Sequence, residues 1–221
     1  MRLETVRKLA TNPRLALRVL RYGRLPSPRY VNLKRVLKEV RPRRIVEIGT
    51  YHGAAAMLML RRARRYQSVV EYWGFDLFEE ATPEVLEQEA ASPNPPPPIE
   101  VAHQRLEQFG PTIHLAQGDS TVTVPQTQVP PADLIFIDGG HSYETVCSDW
   151  ENVQRFVHDR TVVIFDDYTN QYGVEHGYGI KRLVDELDRE RSEVRLLMPI
   201  DRYRRADGVL ESQFAMVQRR S

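Results

Sequence analysis

The stretch Ile45-Val46-Glu47-Ile48-Gly49-Thr50-Tyr51-His52-Gly53 decides how the fold is read. Its first four residues make a short, mostly apolar strand of the kind that is covered on both faces. Gly49 ends the strand, and Gly53 opens a helix from Ala54 to Arg65, rich in Ala, Leu, Met and Arg. A strand passing through a glycine turn into a helix is the first half of a βαβ unit. Gly49 permits close backbone approach there, and the helix start favours an anionic group. The G-x-G-x-x-G pattern of dinucleotide-binding folds is absent, because Tyr51 stands at the second glycine position. Taken alone, the segment also fits a plain strand-to-helix turn.

The pattern repeats toward the C-terminus. Further strands are expected at Val69–Leu77, Thr112–Ala116, Asp133–Asp138 and Thr161–Asp166, with helices over 82–91, 99–109, 143–157 and 180–191. Val194–Ile200 and Gln213–Arg219 read as two closing strands with no helix between them, which implies an antiparallel edge hairpin. Alternating strands and helices predict an α/β fold, Rossmann-like and doubly wound, around a mostly parallel seven-stranded sheet. Toward the N-terminus, residues 2–22 read as two short helices divided at Pro13, and 30–40 as another helix stopped by Pro42. The division expected is a basic helical N-terminal extension, 1–42, and a catalytic domain, 43–221. Ser92-Pro-Asn-Pro-Pro-Pro-Pro98 reads as an extended, exposed loop.

Composition narrows the class. The 221 residues are 41% apolar and 28% charged, as in a globular domain with a real core. The one cysteine, Cys147, excludes a disulfide scaffold and a Cys-based zinc cluster. No apolar run reaches membrane-spanning length and no signal-like leader is evident, so a reducing, cytoplasmic setting is expected. Net charge is +1, yet residues 1–65 carry 18 Lys and Arg against three acids. Such a segment can bind nucleic acid or anionic lipid. Its interleaved apolar pattern favours packing across the acidic remainder, or pairing of subunits in a homo-oligomer.

Ligands of open α/β sheets sit at the carboxyl ends of the strands. The second strand ends in Asp76, 27 residues after Gly49, and a carboxylate there suits the two hydroxyls of a ribose. The third ends in Asp119-Ser120, suited to an adenine amino group. The bland alternatives are that Asp76 caps a helix and Asp119 shapes a turn. The fourth strand ends in Asp138, and the fifth in Asp166-Asp167.

At these residues the chain resembles the class I S-adenosylmethionine-dependent methyltransferases, over about residues 43–219. Phe136-Ile-Asp-Gly-Gly-His-Ser-Tyr-Glu144, Ile164-Phe-Asp-Asp-Tyr168 and Gly179-Ile-Lys-Arg-Leu-Val-Asp-Glu186 are similar to the macrocin-type branch of bacterial sugar and natural-product O-methyltransferases. The resemblance implies S-adenosylmethionine as cofactor. Glu47, Gly49, Tyr51 and Gly53 would lie near its methionine part, Asp76 on its ribose, Asp119 and Ser120 on its adenine, and Asp138 beside them.

Three carboxylates converging at one edge repel: two unit charges roughly 4 Å apart cost about 4 kcal/mol at an effective dielectric of about 20. A hard divalent cation relieves this, and the macrocin-type branch uses such a trio, so Mg²⁺ on Asp138, Asp166 and Asp167 is expected. Helix capping and cofactor contact are the alternative duties. His141 is the leading candidate base for a hydroxyl acceptor, since imidazole titrates near neutrality; a structural hydrogen bond is its alternative. Tyr168, Tyr172, His176 and Tyr178 lie in a glycine-bearing loop that reads as a substrate lid or a solvated loop. The competing functions are an RNA methyltransferase using the basic segment, and a non-catalytic or membrane-surface module. Nucleic acid is the weaker reading, because no Asn/Asp-Pro-Pro-Tyr motif occurs.

Overall fold

The computed structural model describes residues 27–89 and 96–220. The two helices expected within 2–22, and residues 92–95 of the proline stretch, lie outside the described residues. The elements are α1 (Tyr30–Val40), β1 (Arg44–Ile48), α2 (Ala54–Ala63), β2 (Glu71–Asp76), α3 (Pro83–Gln88), α4 (Ile99–Leu106), β3 (Ile113–Gln117) and α5 (Ser120–Gln126). They continue with β4 (Ala132–Ile137), α6 (Tyr143–Val153), β5 (Val157–Thr169), α7 (Gln171–Glu175), α8 (Ile180–Glu186), β6 (Ser192–Leu196), β7 (Asp201–Arg204) and β8 (Val209–Arg219).

The sheet runs in the order β3-β2-β1-β4-β5-β8-β6, with β7 paired along β8. β1 through β5 pair in parallel, and β8 is antiparallel to β5, β6 and β7. The mostly parallel sheet and its antiparallel edge are therefore as expected, but among the described residues the sheet has eight strands rather than seven. The strand missing from the sequence reading is β7, Asp-Arg-Tyr-Arg, whose last three residues are exposed and carry no apolar alternation. β8 also begins earlier than expected and inserts between β5 and β6. α5 was not foreseen, because Ser-Thr-Val-Thr-Val is a weak helix former. The Asp119 side chain starts it by accepting from the Thr121 N–H at 2.8 Å.

Strand alternation divides the core into two layers. Ile45, Leu134, Phe136, Val162 and Ile164 face α1 and α2, where they meet Leu33, Leu37, Met59 and Leu60. Val46, Ile48, Ile135, Ile137 and Phe165 face the other side, against Val146 and Val153 of α6 and Ile180 and Val184 of α8. Residues 30–40, placed in the N-terminal extension from sequence, thus supply core residues to the sheet. Among the described residues, no helix is long and apolar enough to cross a membrane.

Chain order reverses between β1 and β4, which opens a crevice at the carboxyl ends of these neighbours. One irregularity matters there. The β5–β8 register shifts between Phe165 and Tyr168, a bulge in which Asp167 takes a positive φ of 52°. Adjacent strand residues normally point to opposite faces, and a bulge re-aims one of them.

Because Leu37 is fully buried beneath the sheet, Leu37→Ala should destabilise the protein by about 2–5 kcal/mol in denaturant titration. A loss within about 0.5 kcal/mol, typical of surface positions, would mean α1 is only an appendage.

Candidate active site

The carboxyl ends of β1, β2, β3 and β4 open onto one cleft of about 1760 Å³, lined among others by Gly49, Tyr51, Asp76, Asp119, Ser120 and Asp138. Its rim is built by close backbone packing. Gly49 has a φ of +89°, and a Cβ there would fall 1.9 Å from the Asp138 carbonyl oxygen. Glycine is thus required by the approach of β1 to β4. Tyr51 and Gly53 also adopt positive φ, 49° and 72°, and turn the chain into α2. Asp76 fixes the loop: one oxygen accepts from the Tyr51 N–H and the other from the Phe78 N–H, each at 2.7 Å. Burial raises its pKa, against the pull of those two bonds. An ionised carboxylate offers about four lone-pair positions, so a diol in the cleft can still be met. The capping duty and the ligand-facing position therefore coexist in Asp76.

Asp119 likewise lines the cleft while capping α5. Ser120 donates to Oδ1 of Asp149 at 2.6 Å. The sequence reading missed Asp149, which is fully buried in α6 and whose carboxyl burial pushes up to about 7. It falls on the same helical face as Val146 and Val153, so a carboxylate at a core position was the available signal. Glu47 is also fully buried and does not line the cleft among its described residues. It accepts from the Tyr72 hydroxyl, its Oε1 has no hydrogen-bond partner, and burial pushes its pKa up to about 8.

The second half of the site is the acidic trio. Asp138, Asp166 and Asp167 each present an oxygen within 4.8 Å of the others. Their convergence is as expected; the compensation was not foreseen. Arg29, at the foot of α1, places one guanidinium nitrogen 3.0 Å from Asp166 and another 2.9 Å from Asp167. His141 completes the arrangement, with Nε2 3.1 Å from Asp167 and Nδ1 2.8 Å from the Glu89 carbonyl oxygen. Both partners are acceptors, so both ring nitrogens are placed to donate, an arrangement that favours the imidazolium. Burial lowers the His141 pKa, but the hydrogen bond and charge of Asp167 outweigh it and leave the pKa raised. Asp167 goes the other way: against the cost of burial, His141, Arg29 and Ser212 hold it well below the usual carboxylate range. Burial and the Asp167 charge push Asp166 up to about 7, and burial with both neighbours raises Asp138 well above the usual carboxylate range.

The loop after β5 is only partly drawn in. Tyr178 packs against His141, with ring centroids 4.7 Å apart. Tyr172 and His176 stack on each other and bond to Asp207, away from the residues described as lining the cleft. Tyr168 is buried, and its hydroxyl donates to Asp185 at 2.9 Å. The segment expected from sequence to be a substrate lid or a solvated loop is thus a short helix, α7, and its flanks.

Residues 46–168 match the profile of a family described as a methyltransferase domain. The chain belongs to this methyltransferase-domain family. Its fold is shared with solved methyltransferases of low identity. The O-methyltransferase of Bacillus cereus, solved with S-adenosylhomocysteine (SAH), is 16% identical, with a TM-score of 0.59 over 99% of this chain and 92% of that one. The O-methyltransferase TomG of Streptomyces achromogenes, solved with S-adenosylmethionine, is 18% identical, with a TM-score of 0.54 over 86% of this chain and 78% of that one. An rRNA methylase of Streptococcus thermophilus is 13% identical, with a TM-score of 0.60 over 87% and 97%. Among curated proteins, the uncharacterized protein y4gI of Sinorhizobium fredii is 26% identical over 151 residues, which make up 67% of this chain but 15% of that protein.

Two outcomes follow for the stability of this fold. Gly49→Ala should cost about 3 kcal/mol or more by denaturant titration, since it adds both overpacking and backbone strain; a near-neutral result would place the two strand ends further apart. Folded Glu47 keeps its proton up to about pH 8, whereas the unfolded residue loses it near pH 4.3 or so. Its stabilising contribution is therefore full below that lower value and is lost as pH rises toward 8, by at most about 1.4 kcal/mol per pH unit. Glu47→Gln should flatten the fall in melting temperature over that window, and an unchanged slope would mean the carboxyl is ionised in the fold.

Proposed function

We propose that this methyltransferase transfers the methyl group of S-adenosylmethionine to a hydroxyl group of a small molecule, a sugar or natural product. The observation that carries the reading is the meeting, in one cleft, of a ribose-suited carboxylate on β2 and a carboxylate centre on β4 and β5. When bound, the sulfonium supplies an electrophilic methyl carbon. Asp76 would hold the ribose diol, and Asp119 with Ser120 the adenine edge, Ser120 being oriented by Asp149. The Gly49–Gly53 loop and the first turn of α2 would hold the amino-acid end, where helix N–H groups favour a carboxylate. Glu47 would act from beneath this loop through Tyr72.

An aliphatic hydroxyl needs its proton taken as it attacks. Asp138 lines the cleft and is the acceptor we assign. Both His141 nitrogens already face acceptors, so we assign the role of base expected of it from sequence to Asp138, with His141 fixing Asp167. The three aspartates are the oxygen set a Mg²⁺ would use, but Arg29 already takes one oxygen of Asp166 and one of Asp167. The single free thiol, Cys147, fits a reducing, cytoplasmic setting. RNA is the second acceptor reading, favoured by Arg61, Arg62 and Arg65 along the cleft. RNA binding that weakens steeply with salt would support it.

Calorimetric titration with SAH should show one site, weakened about tenfold or more by Asp76→Ala; absence of binding would remove the reading. With a hydroxylated acceptor, kcat should rise with pH above the usual carboxylate range, as Asp138 gives up its proton. Asp138→Asn should cut kcat by about 10²–10⁴ while leaving SAH affinity within a few fold. An unchanged kcat would exclude Asp138 as the base.

A further inference from the structure

Arg29 is the least expected member of the site. It comes from the basic N-terminal part of the sequence, yet it is only 8% exposed. Its fork spans Asp166 and Asp167, and the nitrogen facing Asp167 also donates to Ser212 Oγ. Its Nε lies 3.5 Å from Asp201 Oδ2, and its backbone N–H donates to Asp201 Oδ1 at 3.3 Å. The guanidinium carbon sits 5.7 Å from the Phe214 ring centre and 6.0 Å from that of Tyr30. The position is built from both directions: α1 is anchored by Leu33 and Leu37 in the core, and Asn32 donates to the Pro199 carbonyl oxygen at 3.0 Å.

The carboxylate oxygens around it are already engaged. Asp166 accepts from Arg29 on one oxygen and from the Asp167 N–H on the other, at 2.6 Å. Asp167 accepts from Arg29 and Ser212 on one oxygen and from His141 on the other. Mg²⁺ requires near-octahedral oxygen ligands at about 2.0–2.1 Å, and an ion reaching from Asp138 to its two neighbours would have to share their carboxylates with the guanidinium, a second cation on the same groups, or expel it. Guanidinium is always charged and matches carboxylate pairs by shape. Expelling it would break its hydrogen bonds to Asp166 and Asp167 and its contact with Ser212. The donor set is the one a divalent ion needs, but two of its three carboxylates already carry a cation.

We propose that Arg29 is the resident cation of the acidic centre, neutralising Asp166 and Asp167 in place of a metal, and that the native protein holds no divalent ion there. Arg29 is then a positioning residue: it keeps both carboxylates aimed and helps hold Asp167 ionised, while Asp138 remains to meet the acceptor. The proposal takes its chemical meaning from the methyl-transfer reading, but its test needs no cofactor.

The test is Mn²⁺ titration of the full chain, stripped with EDTA, followed by electron paramagnetic resonance, alongside calorimetry with SAH. The native protein should show no stoichiometric Mn²⁺ site below about 1 mM, a range in which weak oxygen-ligand sites already fill. Its SAH affinity should not respond to EDTA. Arg29→Met should open one Mn²⁺ site at least about tenfold tighter, lost again when Asp166→Asn is added. Arg29→Lys keeps the charge but not the fork, and should bind Mn²⁺ with intermediate strength; it carries the comparison if Arg29→Met fails to unfold cooperatively. Stoichiometric Mn²⁺ binding by the native protein, abolished by Asp166→Asn, overturns the proposal. So does a folded Arg29→Met, or in its place Arg29→Lys, that gains no Mn²⁺ site. SAH failing to bind would instead remove the cofactor reading and leave the Mn²⁺ comparison standing.

Discussion

Asp166 and Asp167 are neighbours in a strand, and a regular strand would send them to opposite faces of the sheet. The bulge between Phe165 and Tyr168, with Asp167 at positive φ, brings an oxygen of each to the same point beside Asp138. Everything else in the centre answers that convergence. Buried charges are costly unless paired and hydrogen-bonded, and here Arg29, His141 and Ser212 supply the pairing. The result is uneven. Asp167 is surrounded by donors and stays ionised, while Asp138 and Asp166, pressed by burial and by their neighbours, hold protons more tightly. One strand irregularity thereby divides three like residues into a fixed anion and a proton-exchanging pair.

The parallel core was legible because its signal is local. Ile45–Ile48, Asp133–Asp138 and Thr161–Asp166 are apolar runs ending in Gly or Asp, and a chain that alternates such runs with amphipathic helices has few folds open to it. The strand-end residues were legible for the same reason, since topology alone brings the ends of β1, β2, β3 and β4 to one edge. β7 was not, because a four-residue edge strand of exposed charges owes its form to pairing with β8 rather than to its own pattern. α5 was hidden likewise, since its start depends on one side-chain cap.

Arg29 and His141 mark the limit more sharply. Nothing local distinguishes Arg29 from the other basic residues of residues 1–65; what does is a contact with residues 137 and 138 positions away. His141 was found as a titratable group beside a strand end, but its protonation state follows from the Glu89 carbonyl oxygen and Asp167, contributed by two other parts of the chain. A motif can say which residue types gather; which of them carries the proton is decided by partners that spacing does not reveal.

The anchoring of Arg29 has a consequence for how the molecule comes together. Its partners lie at 166, 167, 201 and 212, so the charge balance of the centre closes only when the two ends of the described chain meet. Arg29 and His141 meet Asp166 and Asp167 directly, while Asp201 and Ser212 reach the guanidinium only where β7 and β8 are paired beside β5. The β7–β8 ribbon thus acts as a clasp that ties the guanidinium at the foot of the first described helix across the far edge of the sheet.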